Sequence, residues 1–188
     1  MKENPNDLDH ELWLDQDIIP RQNRLKAKFW EILAEVANSV DSEMLIKIHA
    51  ESRGTKLSKG NDLLGYPYQV LDLIRDFDVN DGLNIRVLNW FGHGLFIFIL
   101  LGKNHPNAPF QKLNENSWLF DHSPTPWEYP EILLNNASTK TPTAELLEES
   151  TYYQWHKLVP VSGNILAIKA EVLTELNKLI FLLSEKMG

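Results

Sequence analysis

Four residues that lie close together have the chemistry to hold an anion. Arg53, Lys56, Ser58 and Lys59 fall within Arg53-Gly-Thr-Lys-Leu-Ser-Lys-Gly60, and no acidic residue intervenes between Glu51 and Asp62. Arginine and lysine pair with phosphate and carboxylate, and glycine-bearing turns can aim backbone N–H groups at the same charge. The glycine and small polar content of this stretch predicts a loop. It lacks the Gly-x-x-x-x-Gly-Lys-Ser/Thr order of a phosphate-cradling P-loop. The plainer reading is a solvated loop whose lysines keep a neighbouring sheet soluble.

His93 is the candidate acid–base group. It stands between Gly92 and Gly94, immediately before the most apolar run of the chain, Leu95 to Leu101. Imidazole is the side chain that titrates nearest neutral pH, and a rigid turn would position it well. A turn also accepts histidine for conformational reasons alone, because histidine is enriched at positive φ.

Other chemistries are less well supplied. The chain has no cysteine, which excludes disulfides, thiol catalysis and cysteine zinc sites. Its six histidines, His10, His49, His93, His105, His122 and His156, form no His-Glu-x-x-His pattern. Asp76-Phe-Asp-Val-Asn-Asp-Gly82 superficially resembles the opening of a calcium loop. Its glycine is one place late, however, and Val87 stands where the bidentate glutamate belongs. Neither the Gly-x-Ser-x-Gly of serine hydrolases nor a dinucleotide Gly-x-Gly-x-x-Gly is present. The sequence therefore implies no metal and no cofactor.

The elements that must position these residues follow from periodicity. Leu25, Phe29, Ile32, Leu33, Val36 and Val40 keep helical spacing after Pro20, which suits a first turn. Ile165, Ile168, Val172, Leu176, Leu179, Ile180 and Leu183 do the same near the C-terminus. Short helices are expected over 11–19 and from Asp41 or Ser42 to Ala50, a strand or a short helix over 66–74, and a strand over 152–161. Residues 83–91 and 95–101 are the clearest strands, rich in β-branched and aromatic side chains.

A two-residue turn at Gly92-His93 or His93-Gly94 would join them. That register sets Leu83, Ile85, Val87 and Phe91 beside Phe96, Phe98 and Leu100. The strand 95–101 is apolar on both faces, as in a sheet covered on both sides, and the long helices are the natural covers. The fold class is α+β, an antiparallel sheet with a central apolar hairpin (83–91, 95–101) covered by N-terminal (20–40) and C-terminal (163–185) amphipathic helices.

With 188 residues, 43% hydrophobic and 23% charged, the chain fits one soluble globular domain over 1–188. Residues 1–10 read as a loose lead. Residues 103–142, with six of the ten prolines, read as an irregular region that is either functional or holds short helices near Phe110–Leu119, and its Trp118, Trp127 and Tyr129 must pack on something. The polar, acidic start lacks the apolar core of a signal peptide, and Leu95–Leu101 is too short to span a bilayer. A cytoplasmic location without membrane contact is the expectation. A net charge of -8 argues against nucleic acid.

Lys56-Leu-Ser-Lys-Gly60, Leu64-Gly-Tyr-Pro-Tyr68, Leu71-Asp72 and Asn89-Trp-Phe-Gly-His93 together resemble a family of uncharacterised bacterial cytosolic proteins, over about residues 56–103. The resemblance implies a bacterial cytosolic origin and carries no assigned activity. Without a catalytic motif, the leading expectation is a binding or interaction domain, anchored on the aromatics of 103–142. The alternative is an enzyme or sensor for a small phosphate- or carboxylate-bearing ligand held by Arg53, Lys56, Ser58 and Lys59, with His93 beside them. A protein partner, or self-association through the hairpin or the C-terminal helix, fits the same composition.

Overall fold

The computed structural model describes residues 6–106 and 109–185. Residues 1–5 of the expected loose lead lie outside that set. The first helix, α1, spans His10–Leu14, and α2 runs Ile18–Ser39 with Pro20 in its first turn. Asp41 caps α3, Ser42–Ile48, by accepting from the N–H groups of Glu43 and Met44. Four strands then follow as a meander: β1 Lys56–Leu63, β2 Tyr66–Arg75, β3 Leu83–Trp90 and β4 Gly94–Gly102.

The segment 103–142 is not irregular throughout. It holds α4 (Phe110–Glu115), β5 (Leu119–Asp121), α5 (Tyr129–Leu134) and β6 (Ser138–Thr139). After α6 (Ala144–Glu149) come β7, Tyr152–Val159, and α7, Ile165–Ser184, capped by the Asn164 side chain. Among the described residues, seven strands form one antiparallel sheet in the order β1-β2-β3-β4-β7-β5-β6. The apolar strand β4 is the central one, which makes the fold α+β.

The expected loop 53–60 is, from Lys56 onward, the edge strand β1. Its residues alternate: Leu57 packs against the helix-covered core while Lys56 and Ser58 point the other way, opposite Asp72 and Val70. Lysines along an exposed edge blunt it against pairing with other chains. The composition looked loop-like because an edge strand of this kind has little apolar surface to bury.

The hairpin turn holds three residues, not two. Trp90 pairs with Gly94, and the His93 N–H donates to the Trp90 carbonyl at 3.0 Å. Gly92 supplies φ +83 at the third turn position, the value a type II turn requires. The positive φ falls on glycine, and His93 does not need it. Phe91 leaves the ladder; its N–H donates to the Pro67 carbonyl, and its ring meets Phe29 of α2 edge-on.

One residue of register inverts the expected faces. Leu83, Ile85 and Val87 share a face with Leu95, Ile97, Ile99 and Leu101, while Phe96 and Phe98 lie beside Leu88 and Trp90 on the other. The aliphatic set of both strands thus forms one core and the aromatic set another.

Both long helices lie on the aliphatic face. Leu33 and Val36 of α2, Leu45 of α3, and Val172, Leu176 and Leu179 of α7 bury against it. Each such side chain contributes roughly 1.5–3 kcal/mol by leaving water. The opposite face, expected under a helix as well, is covered by the segment around α5, through Tyr129 and Ile132 on Val70, Leu88, Trp90, Phe96 and Phe98.

Candidate functional site

The residues expected to hold an anion do not converge. Arg53 is exposed before β1, and its backbone exchanges hydrogen bonds with Arg75: its N–H donates to the Arg75 carbonyl at 3.1 Å, and its own carbonyl accepts from Arg75 Nη2 at 2.9 Å. Lys56 and Ser58 face the aromatic side of the sheet. Lys59 faces the helix side opposite Gln69, with its ammonium 5.3 Å from the centre of the Trp30 ring.

His93 sits at the other end of the sheet. Its ring stacks on Trp90 at 3.8 Å and meets Tyr66 edge-on at 4.7 Å. Lys56 pairs opposite Asp72, six residues along β2 from Tyr66, which is about 20 Å at the rise of a strand. A general base must lie within hydrogen-bond reach of the group it serves, so His93 and the Arg53–Lys56 end serve no common ligand. His93 packs as an aromatic ring, with Nε2 buried and unpartnered among the described residues.

Two polar clusters lie instead on the aromatic face, and neither stood out in the sequence. Arg86 of β3 is opposite Asp72 of β2 and grips it with both arms, Nε to Oδ1 at 2.7 Å and Nη2 to Oδ2 at 3.0 Å. Its remaining arm, Nη1, donates to the Tyr129 hydroxyl of α5. Asn84 Nδ2 adds a third hydrogen bond to Asp72, at 3.0 Å. Phe77, Trp127 and Tyr129 surround the guanidinium at 5.2–6.0 Å, in cation–π range. Burial works against the Arg86 charge, but Asp72 and Tyr129 more than offset it and hold its pKa above the ordinary arginine value. Arg86 therefore ties the segment 123–134 to the sheet.

The second cluster joins Asp121 of β5 to β7. Asp121 Oδ1 lies 2.5 Å from His156 Nδ1, and Oδ2 accepts from Gln154 Nε2 at 3.1 Å. Burial pushes the Asp121 carboxyl above the ordinary range, against the lowering effect of those two hydrogen bonds. A carboxyl on Nδ1 is the orienting half of an acid–base pair. Here the imidazole is only 5% exposed and lies between Phe96 and Phe98, so it faces rings rather than a cleft. The Arg86 cluster closes on itself, while Asp121, though buried, also borders an open cavity of about 250 Å³ with His122, Ser123 and Tyr152. Among the described residues no group of three or more His, Asp or Glu is arranged to hold a metal.

Two open surfaces combine residues suited to binding. A groove of about 490 Å³ runs between α2 and the β1–β2 edge, lined by Asn23, Lys26, Trp30, Lys59, Asn61 and Tyr68 among others. The Tyr68 ring lies so close over Gly60 that a Cβ there would be 2.4 Å from it. Lys59 is the one expected anion ligand that lines this groove.

The other surface is the N-terminal arm. Every residue from Asn6 to Asp17 is exposed, α1 buries none of its side chains, and α2 buries none before Ile32. Leu8, Leu12, Trp13, Leu14, Ile19 and Leu25 are all uncovered, Trp13 at 69%. Single exposed apolar residues occur elsewhere, Leu166 and Phe181 of α7 among them, but the run of six between Leu8 and Leu25 marks a place of contact. Comparison with protein-family models, curated proteins and solved structures finds no match to this chain. Among the described residues no helix is long and apolar enough to cross a membrane.

The Arg86 cluster predicts unequal costs for its members. Arg86→Met leaves Asp72 buried with its charge partner gone and is expected to cost about 3 kcal/mol in urea unfolding. Tyr129→Phe removes one hydrogen bond to the guanidinium and should cost roughly 1–2 kcal/mol. Equal losses would show that Arg86 acts only through Tyr129.

Asp121 makes a prediction about pH. An unfolded aspartate loses its proton near about 3.9, and the folded Asp121 holds it to higher pH. The folded chain thus binds more protons in that interval, and stability falls as pH rises through the folded value. Asp15, Asp78 and Glu175, held below the ordinary range, add the opposite slope to both proteins. The check is therefore the difference between urea midpoints of wild type and Asp121→Asn, which should shift against the wild type as pH rises across the acid range.

Proposed function

We propose that this chain is a non-catalytic interaction domain that engages its partner through the arm formed by α1 and the first turns of α2. The observation that carries this reading is the contrast between the two kinds of surface. The clusters with reactive residue types are saturated by their own neighbours under α5 and its flanking loops. The arm presents large apolar side chains to solvent and contributes nothing to either core. Exposing Trp13 and three leucines has an aggregation cost that natural surfaces avoid unless contact requires them. This moves the expected anchors from Trp118, which is buried, and Trp127, which is 43% exposed but engaged with Phe77 and Arg86, to the N-terminal arm.

A photo-cross-linking amino acid placed at Trp13 tests the reading in cells expressing the chain. Light-dependent adducts of discrete mass are expected from position 13. They should be absent when the same group replaces Thr174, an exposed residue of α7. Indistinguishable yields from the two positions would remove the arm as the contact surface.

A second reading has one observation in its favour: the α2–β1 groove sets Lys26 and Lys59 beside two aromatic faces, Trp30 and Tyr68, and two amides, Asn23 and Asn61. That lining suits a small anionic ligand with a planar or sugar-like body. In a thermal-shift series with nucleotides and phosphorylated metabolites, a ligand at about 100 times its Kd adds about 2.7 kcal/mol. For a chain of this size that raises Tm by about 5–10 °C. Lys59→Ala should abolish the shift, and no shift with any anion would dismiss this reading.

A further inference from the structure

We infer that the arm's partner is a second copy of this chain, the two arms packing antiparallel about a two-fold axis near Ile18 and Ile19. The inference rests on the arm being the contact surface, as proposed above, and names what covers it. The argument comes from how charge is divided along the arm. Residues 6–17 carry Asp7, Asp9, Glu11, Asp15 and Asp17 and no lysine or arginine. Residues 18–30 carry Arg21, Arg24, Lys26 and Lys28 and no aspartate or glutamate. The apolar residues run through both halves, with Leu8, Leu12, Trp13 and Leu14 in the first and Ile19 and Leu25 in the second.

A two-fold interface must be self-complementary, because the same patch serves on both sides. This patch meets that requirement in one orientation. Antiparallel packing lays the acidic half of one copy on the basic half of the other, with apolar side chains between them. Parallel packing sets like charge on like charge, which is costly. Within the chain the acidic half already has backbone duties: Asp9 caps α1, and Asp15 accepts from the N–H groups of Asp17 and Ile18. In the basic half the Lys26 carbonyl accepts from Gln69, and Arg21 lies near enough to favour the Asp15 carboxylate. Among the described residues, however, the Arg21, Arg24 and Lys28 side chains form no ion pair within 4 Å. An anionic lipid surface fits less well, because it would attract one half of the arm and repel the other.

The test is the mass in solution of the full chain and three variants, by light scattering and sedimentation across the micromolar range. The wild type is expected at about twice 21.7 kDa. Leu12→Ser/Trp13→Ser should be monomeric, with unchanged circular dichroism and a Tm that no longer depends on concentration, because neither residue is buried in the fold. Arg21→Glu/Arg24→Glu and Glu11→Lys/Asp17→Lys should each weaken the dimer by about tenfold or more through like-charge contact. An equimolar mixture of these two should restore it as a heterodimer. A monomeric wild type whose Trp13 position still cross-links to another protein overturns the second-copy inference and leaves the interaction reading standing. A monomeric wild type without cross-links removes both. A dimer that persists in Leu12→Ser/Trp13→Ser, or charge variants that do not restore each other, also overturns the inference.

Discussion

Strand β4 is apolar on both faces, and the rest of the structure answers that constraint. A strand of this kind is stable only at the centre of a sheet with both sides shielded from water. The sheet supplies β3 and β7 as neighbours. Helices α2, α3 and α7 cover the aliphatic side. On the aromatic side the chain lays down a segment of short elements, and Tyr129 and Ile132 of α5 close over Phe96 and Phe98.

That second cover explains where the charged groups went. Polar attachments fix that cover in place, and Arg86 provides one by linking Asp72 on the sheet to Tyr129 on α5. Asp121 and His156 provide another between β5 and β7. Buried charge is tolerable only when it is paired and hydrogen-bonded, and both clusters meet that condition internally. The same saturation leaves them poor instruments for chemistry on a ligand. The reactive residue types serve the architecture, and the functional reading shifts to surfaces the architecture does not use.

The legible parts of the fold were those with strong periodicity. The spacing of Ile32, Leu33 and Val36, and of Val172, Leu176 and Leu179, identified α2 and α7. The apolar content of 95–101 identified a central strand. Strand β1 was missed because Lys56, Ser58 and Lys59 disguise an edge as a loop. The hairpin faces were inverted because a turn of two residues and one of three differ by a single residue, and the outcome depends on Phe91 leaving the ladder to bond Pro67. Of the candidate site, Arg53, Lys56, Ser58 and Lys59 were visible as a charge excess, but strand alternation sends Lys56 and Lys59 to opposite faces. Arg86 carried one signal, an arginine flanked by Ile85 and Val87 in a buried strand. Its partners could not be named without the register.

The sequence by itself determined the two long helices, the central apolar hairpin and the division of charge along the N-terminal arm, because each is a local property of a continuous stretch of chain. Only the tertiary structure decided which faces of β3 and β4 go together, that both long helices share one side, and that His93 stacks on Trp90 far from Arg53 and Lys56. These depend on contacts between residues distant in the chain, where one residue of register reverses every side chain.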